Sequence, residues 1–249
     1  MVIKEIRRLF LLQTHPNSNL YQIIKEMSRF KLCIILLFIL NVISLKAQEN
    51  EVIFAVRAGD NTTFGGFAAF SLETYQTFNE NLVISGGVQY NTIGRTVVHA
   101  RPSYFHDFPW GTLSGEVILD YTNLASVGSY AAGAGICLAR KWIDVKLGYY
   151  WHLYGGAGGH IVEPFNIYYE LRAKFLHDIN DWDLNLLITN NEIFELERHY
   201  QPSFIAQCLY YPSKKIGINM SIGCKPAGIF NISADYYQSF IKAGIIYRW

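Results

Sequence analysis

Between Ile143 and Leu153 every second residue is apolar: Ile143, Val145, Leu147, Tyr149, Trp151 and Leu153, with Asp144, Lys146, Gly148, Tyr150 and His152 between them. A strand turns successive side chains to opposite faces, so this run specifies one greasy and one polar face; a helix with its 3.6-residue period cannot sort the same residues. The pattern recurs at Phe165, Ile167, Tyr169, Leu171, Ala173 and Phe175, against Asn166, Tyr168, Glu170, Arg172 and Lys174. It recurs again from Leu113 to Tyr121 and from Ile216 to Cys224. The runs are about 9 to 14 residues long, which suits tilted strands crossing a bilayer at about 9 to 11 residues each. Soluble sheets use strands of about five or six.

The N-terminus is set apart from this pattern. From Met27 the chain reads Ser28, Arg29, Phe30, Lys31, then an apolar run from Leu32 to Leu45, then Lys46, Ala47 and Gln48. A basic stretch, an apolar stretch and a small residue form a secretory signal, and the apolar run falls short of the roughly 20 residues that span a bilayer as a helix. Residues 1–26 read as an upstream extension, 27–47 as the signal, and 48–249 as the working domain. Removing residues 1–47 takes away seven basic and two acidic residues, leaving 202 residues with a formal charge of −4. Lys and Arg are dispersed, so the chain is no nucleic-acid binder.

The pattern marks strands near 52–59, 64–78, 82–92, 95–106, 112–122, 127–139, 142–153, 161–176, 182–190, 202–211, 215–224, 228–236 and 239–249, with a further possibility at 191–199. Short polar turns join most of them, so neighbours in sequence are neighbours in space. An up-and-down barrel with both ends on one side needs an even number, so the thirteen marks include an error; 12 strands are expected, with 10 or 14 as alternatives.

Alternation alone does not say which face meets lipid, since the apolar face of a soluble sandwich turns to a core and that of a membrane barrel turns outward. The last eight residues are Lys242, Ala243, Gly244, Ile245, Ile246, Tyr247, Arg248 and Trp249. Polar Lys242, Gly244 two later, then the aromatics Tyr247 and Trp249, resemble the C-terminal assembly signal of Gram-negative outer-membrane β-barrels. The resemblance implies an outer-membrane location, contact with outer-membrane lipid and handling by the barrel assembly machinery. The parity of the strand agrees: Ile241, Ala243, Ile245, Tyr247 and Trp249 share one face, with two rings placed for the membrane interface, while Lys242 and Arg248 turn inward.

On that assignment the inward face carries Arg57, Glu73, Arg101, Glu116, Asp120, Lys146, Glu170, Arg172, Lys174, Asp183, Lys215, Asp235, Lys242 and Arg248, with both signs mixed. They either pair and fill the lumen or line a narrow polar channel, and the mixture favours neither anions nor cations. Candidate chemistry is thin. The run Tyr154 to His160 holds four glycines but lacks the following Lys and Ser or Thr of a phosphate loop, so it reads as a flexible loop. Glu192, Glu195 and Glu197 with Arg198 and His199 match no metal-ligand spacing. His199 with Ser203, and His99 with Ser103, lie four apart and lack an oxyanion signature. Pro102 and Pro202 read as bulges or bends.

Cys137, Cys208 and Cys224 follow the signal. A hairpin centred near residue 213 sets Cys208 opposite residue 218 and about 20 Å from Cys224, too far for a disulfide. The expectation is an all-β, antiparallel up-and-down transmembrane barrel, non-enzymatic, without cofactor or metal, serving as a narrow pore or a structural or interaction barrel. A lipid-hydrolysing barrel and a soluble secreted β-sandwich are the alternatives.

Overall fold

The computed structural model describes residues 49–61, 65–124, 127–156, 159–179, 181–190, 202–226 and 238–249. The leader at 27–47, the extension at 1–26, the possible strand at 191–199 with its Glu192, Glu195, Glu197, Arg198 and His199, and the whole of the mark at 228–236, with Asp235, lie outside the described residues.

Twelve strands follow one another: β1 (Glu49–Asn61), β2 (Gly65–Asn79), β3 (Leu82–Asn91), β4 (Arg95–Phe108), β5 (Gly111–Leu124), β6 (Val127–Ala139), β7 (Ile143–Gly156), β8 (Gly159–Ile179), β9 (Trp182–Thr189), β10 (Ser203–Tyr210), β11 (Ile216–Lys225) and β12 (Gln238–Arg248). Each pairs antiparallel with the next, and β12 pairs with β1, from Glu51 opposite Arg248 to Asn61 opposite Gln238, so the sheet closes on itself. Closure removes the unpaired edges that a sheet in lipid could not leave exposed. It also excludes the β-sandwich. β11 pairs directly with β12, so the barrel closes without the thirteenth mark.

Sequence parity and burial agree over most of the barrel. Along β12, Ile241 and Ile245 are 63% and 61% exposed, while their sequence neighbours Phe240 and Ile246 are buried. The outward residues form an apolar wall, and the burial of their neighbours defines the inward face. At the end holding Glu49 and Trp249 the turns are short, and Trp110, Trp142, Trp182, Tyr210, Tyr247 and Trp249 cluster there on the outside. At the other end, the segments between β9 and β10 and between β11 and β12 are the long ones. Short turns at one rim and longer loops at the other are the usual asymmetry of outer-membrane barrels, whose loops face outward from the cell.

The strands run further than their apolar pattern. The glycine-rich run from Tyr154 is mostly strand, with Gly156 ending β7 opposite Gly159 of β8. Backbone hydrogen bonding continues there without side-chain alternation, which the sequence pattern does not register. Pro102 marks no bulge: it sits opposite Ile84 of β3 in register, and only the β4–β5 ladder skips Arg101 and Pro102. The bulge opposite a proline is at Pro164, where β7 shifts register between Tyr150 and His152.

Inside, aromatic rings lie flat over glycines of neighbouring strands. Tyr168 of β8 covers Gly148 of β7 and Gly135 of β6 so closely that neither position has room for a Cβ, and Phe240 of β12 covers Gly223 of β11 in the same way. Three inner apolar clusters stand among the described residues. Ile118, Ala131, Tyr150 and Tyr168 pack along β5 to β8, Phe67, Leu187, Ile205 and Phe240 join β2, β9, β10 and β12, and Ile53, Ala55 and Ile246 join β1 and β12.

Candidate functional site: the charged inner wall

Inward strand positions bring oppositely charged residues together across neighbouring strands, across one intervening strand, or two places apart on one strand, and four ion pairs stand on β4 to β8. Arg101 Nη2 meets Asp120 Oδ2 at 3.1 Å, with both side chains buried. Lys146 Nζ meets Glu116 Oε2 at 3.0 Å, and the Tyr168 hydroxyl donates to the other Glu116 oxygen at 2.7 Å. Arg172 Nη2 donates to Glu170 Oε1 at 3.0 Å, and Lys174 Nζ lies 2.7 Å from Asp144 Oδ1. Each carboxylate thus has a cation within hydrogen-bonding distance, which removing them from bulk water requires. The ladder runs from the turn end, at Lys174 and Asp144, toward the middle of the barrel.

Two more pairs tie the closing seam from inside. Lys242 of β12 reaches past β1 to Glu73 of β2, with Nζ–Oε1 at 3.1 Å. Arg248 donates through Nε to Glu51 Oε2 of β1 at 2.6 Å, and its guanidinium sits 4.2 Å from the centre of the Tyr211 ring in the β10–β11 turn. Burial raises the Tyr211 hydroxyl above the usual phenol range, against the lowering pull of Arg248, so it stays neutral near pH 7. Higher up, the buried Arg57 guanidinium stacks 3.5 Å from the Phe240 ring centre.

Of the inward charges read from parity, the structure places Lys146, Glu170, Arg172, Lys174, Lys242 and Arg248 in these pairs; Asp235 lies outside the described residues. Lys215 does not belong on the inward face: β11 begins at Ile216, and Lys215 is exposed in the preceding turn. Glu51 and Arg95 are not among the inward charges expected from parity: Glu51 lies one residue ahead of the strand expected at 52–59, and Arg95 is the first residue of the one expected at 95–106; Arg95 is buried at the start of β4. Within the assembly-signal residues, Gly244 is packed against Ala55 and the Phe54 carbonyl of β1, while Tyr247 and Trp249 stack with ring centres 5.6 Å apart on the outside.

Of the two candidate nucleophile pairs, the one that lies wholly among the described residues does not assemble. His99 and Ser103 lie four residues apart on β4, about 13 Å at 3.3 Å per residue. Ser203 opens β10 fully buried, and His199 is outside the described residues. The cysteines are free thiols. Cys208 faces Met220 rather than residue 218, because the hairpin turns near residue 214, and it lies four positions from Phe204, the partner of Cys224. Cys137 stands on the inward parity of β6 beside Lys146.

No family model and no curated protein matches the sequence. Solved structures match the fold. A KdgM porin in complex with disordered oligogalacturonate is 12% identical, with 79% of this chain covering 98% of that one at a TM-score of 0.52. The NanC porin is 10% identical over 78% of this chain and 98% of its own, at 0.51. The translocator domain of the autotransporter NalP from Neisseria meningitidis is 11% identical over 81% and 89%, at 0.50. A closed twelve-strand barrel with an apolar outer wall and an ion-paired inner wall shares its fold with these proteins, the fold of outer-membrane β-barrels.

Proposed function

We propose that the chain is a narrow, non-enzymatic polar pore of the outer membrane, exported through the leader at 27–47 and inserted by the barrel assembly machinery through its β12 strand. The ion-pair ladder on β4 to β8 carries this reading. Paired charges facing inward, behind a wall whose outward residues are Leu113, Val117, Leu119 and Leu147, suit a hydrated conduit, and side chains that bond one another leave a small bore. The fold shared with two porins supports it. One of those porins is known with an oligogalacturonate, so a barrel of this type accepts an elongated polar solute, and small hydrophilic solutes are the class proposed here.

The test is single-channel recording of the chain from Gln48 in planar bilayers, beside a phospholipid-hydrolysis assay. Small discrete steps are expected, enlarged when Glu116→Gln releases Lys146 and Tyr168. A silent bilayer from heat-modifiable, folded protein would overturn the pore in favour of a filled scaffold. Hydrolysis lost on Ser203→Ala would establish the enzyme instead.

A further inference from the structure

Inward residues differ between the two ends of the barrel. Near the turns, Tyr75 of β2 faces the lumen opposite Glu51 and is 37% exposed, and Arg248 on the far side of Glu51 is partly exposed. Near the loops, Phe67, Phe240, Ile205 and Leu187 face inward, and none is more than 8% exposed.

These four stand in one unbroken row of strand partners. Phe67 of β2 lies opposite Gly59 of β1, Gly59 opposite Phe240 of β12, Phe240 opposite Gly223 of β11, Gly223 opposite Ile205 of β10, and Ile205 opposite Leu187 of β9. Every member of the row is two residues inside the loop end of its strand. The two glycines give the rings their room: a Cβ at Gly223 would strike the Phe240 ring, and one at Gly59 the Phe67 ring and the β12 backbone. Past Phe67 the Thr92 amide donates to the Ala68 carbonyl at 2.8 Å, and Ile93 in the β3–β4 turn packs against the same cluster. At the other end Leu187 lies opposite Arg172 of the ion-pair ladder.

β2 and β9 are five strands apart in a ring of twelve, so they stand nearly across the bore from one another, and the buried side chains between them form one contiguous cluster. The other two inner clusters stay on one side, on β5 to β8 and on β1 with β12. Below the row the Arg57 guanidinium lies 3.5 Å from the centre of the Phe240 ring and 5.8 Å from that of Phe67, and braces both.

We infer that this row is the hydration barrier of the pore: an apolar collar at the loop-end mouth that strongly hydrated ions cross less readily than weakly hydrated ones. The inference rests on the pore reading and deepens it by naming the property on which the site selects. An ion in a narrow apolar neck sheds part of its water shell and finds no oxygen in its place, so the barrier grows with the strength of its hydration. The carboxylates of β4 to β8 supply such oxygens; the collar side chains are hydrocarbon.

Single-channel recording in caesium chloride and in lithium chloride tests it, with folding checked by heat-modifiability. The unaltered barrel is expected to favour caesium beyond the ratio of the two ions' mobilities in water. Leu187→Asn, which exchanges methyl groups for an amide at similar volume, is expected to enlarge the lithium step at least about threefold and bring the ratio down to that of water. Leu187→Met, apolar and of similar size, and Tyr75→Leu, which adds an apolar side chain where the lumen is open, are expected to leave both quantities where they are. Ile205→Thr keeps the branched shape and decides the matter should Leu187→Asn fail to fold. A caesium-to-lithium ratio equal to that in water for the unaltered barrel, no change in Leu187→Asn, or the same change in Leu187→Met overturns the collar and leaves the pore standing. A silent unaltered barrel that conducts once Leu187 is replaced by Asn overturns the open pore and supports the collar as its closure. Silence in every folded variant overturns both.

Discussion

The clearest single-residue commitment is Asp120. With Arg101 within 3.1 Å and both side chains nearly sealed from water, removing one partner leaves the other charged and buried. Asp120→Asn is expected to cost about 3–5 kcal/mol, read as a lower denaturant midpoint for loss of heat-modifiability, whereas Arg101→Met with Asp120→Leu recovers much of it. The ring-on-glycine contacts commit the chain in another way. Gly148→Val drives a branched side chain into Tyr168 and is expected to block folding, with Tyr168→Ala restoring the folded barrel in the double variant. Recovery absent from that double variant would put the fault in the β7 backbone and not in the ring.

Among elements, β12 joins the most distant parts of the sequence, pairing with β11 on one side and β1 on the other. Tyr247 lies opposite both Val52 and Ile216, so deleting Tyr247 to Trp249 shortens both ladders and removes the stacked outer rings together with the Arg248–Glu51 pair. That truncation is expected to abolish insertion, seen as protein that no longer shifts on heating; a normal shift would show that the terminal strand is dispensable. β12 also shows why alternation was informative. Its outward residues are apolar without exception from Ile241 to Trp249, because lipid contacts every one of them, and this made its parity readable from sequence. β8 is harder to read. It shifts register against β9 after Lys174 and again after Leu176, so both Phe175 and Leu176 are exposed and a strict period of two breaks down. Pairing partners were legible where turns are short, whereas ends such as Tyr154–Gly156, held by backbone bonds alone, were not. The ion pairs depend on relative heights across tilted strands, which parity within one strand does not contain. Phe67, Ile118 and Phe240 inside the barrel break the polar-inside rule because each is buried against its neighbours instead of facing water.

At the scale of the whole molecule, the three free thiols among the described residues report the two faces of the wall. Cys137 has inward parity beside Lys146, whereas Cys224 is exposed on the outside. In reconstituted vesicles, a small charged methanethiosulfonate reagent is expected to modify Cys137 if the lumen holds water, and a membrane-soluble maleimide is expected to favour Cys224. Mass spectrometry of the two sites checks this, and the reverse pattern would mean that the faces are exchanged.

The placement of the indoles makes the barrel its own depth gauge. All five tryptophans are exposed on the outside, four of them, Trp110, Trp142, Trp182 and Trp249, near the turn rim and Trp151 toward the loops. No indole points into the lumen, so the intrinsic emission of the folded protein reports the surrounding bilayer and is blind to whatever passes through the centre. Lipids brominated at defined carbons would quench the four lower emitters as one shell, and Trp151→Phe would leave that shell alone, turning an unlabelled barrel into a probe of a single leaflet.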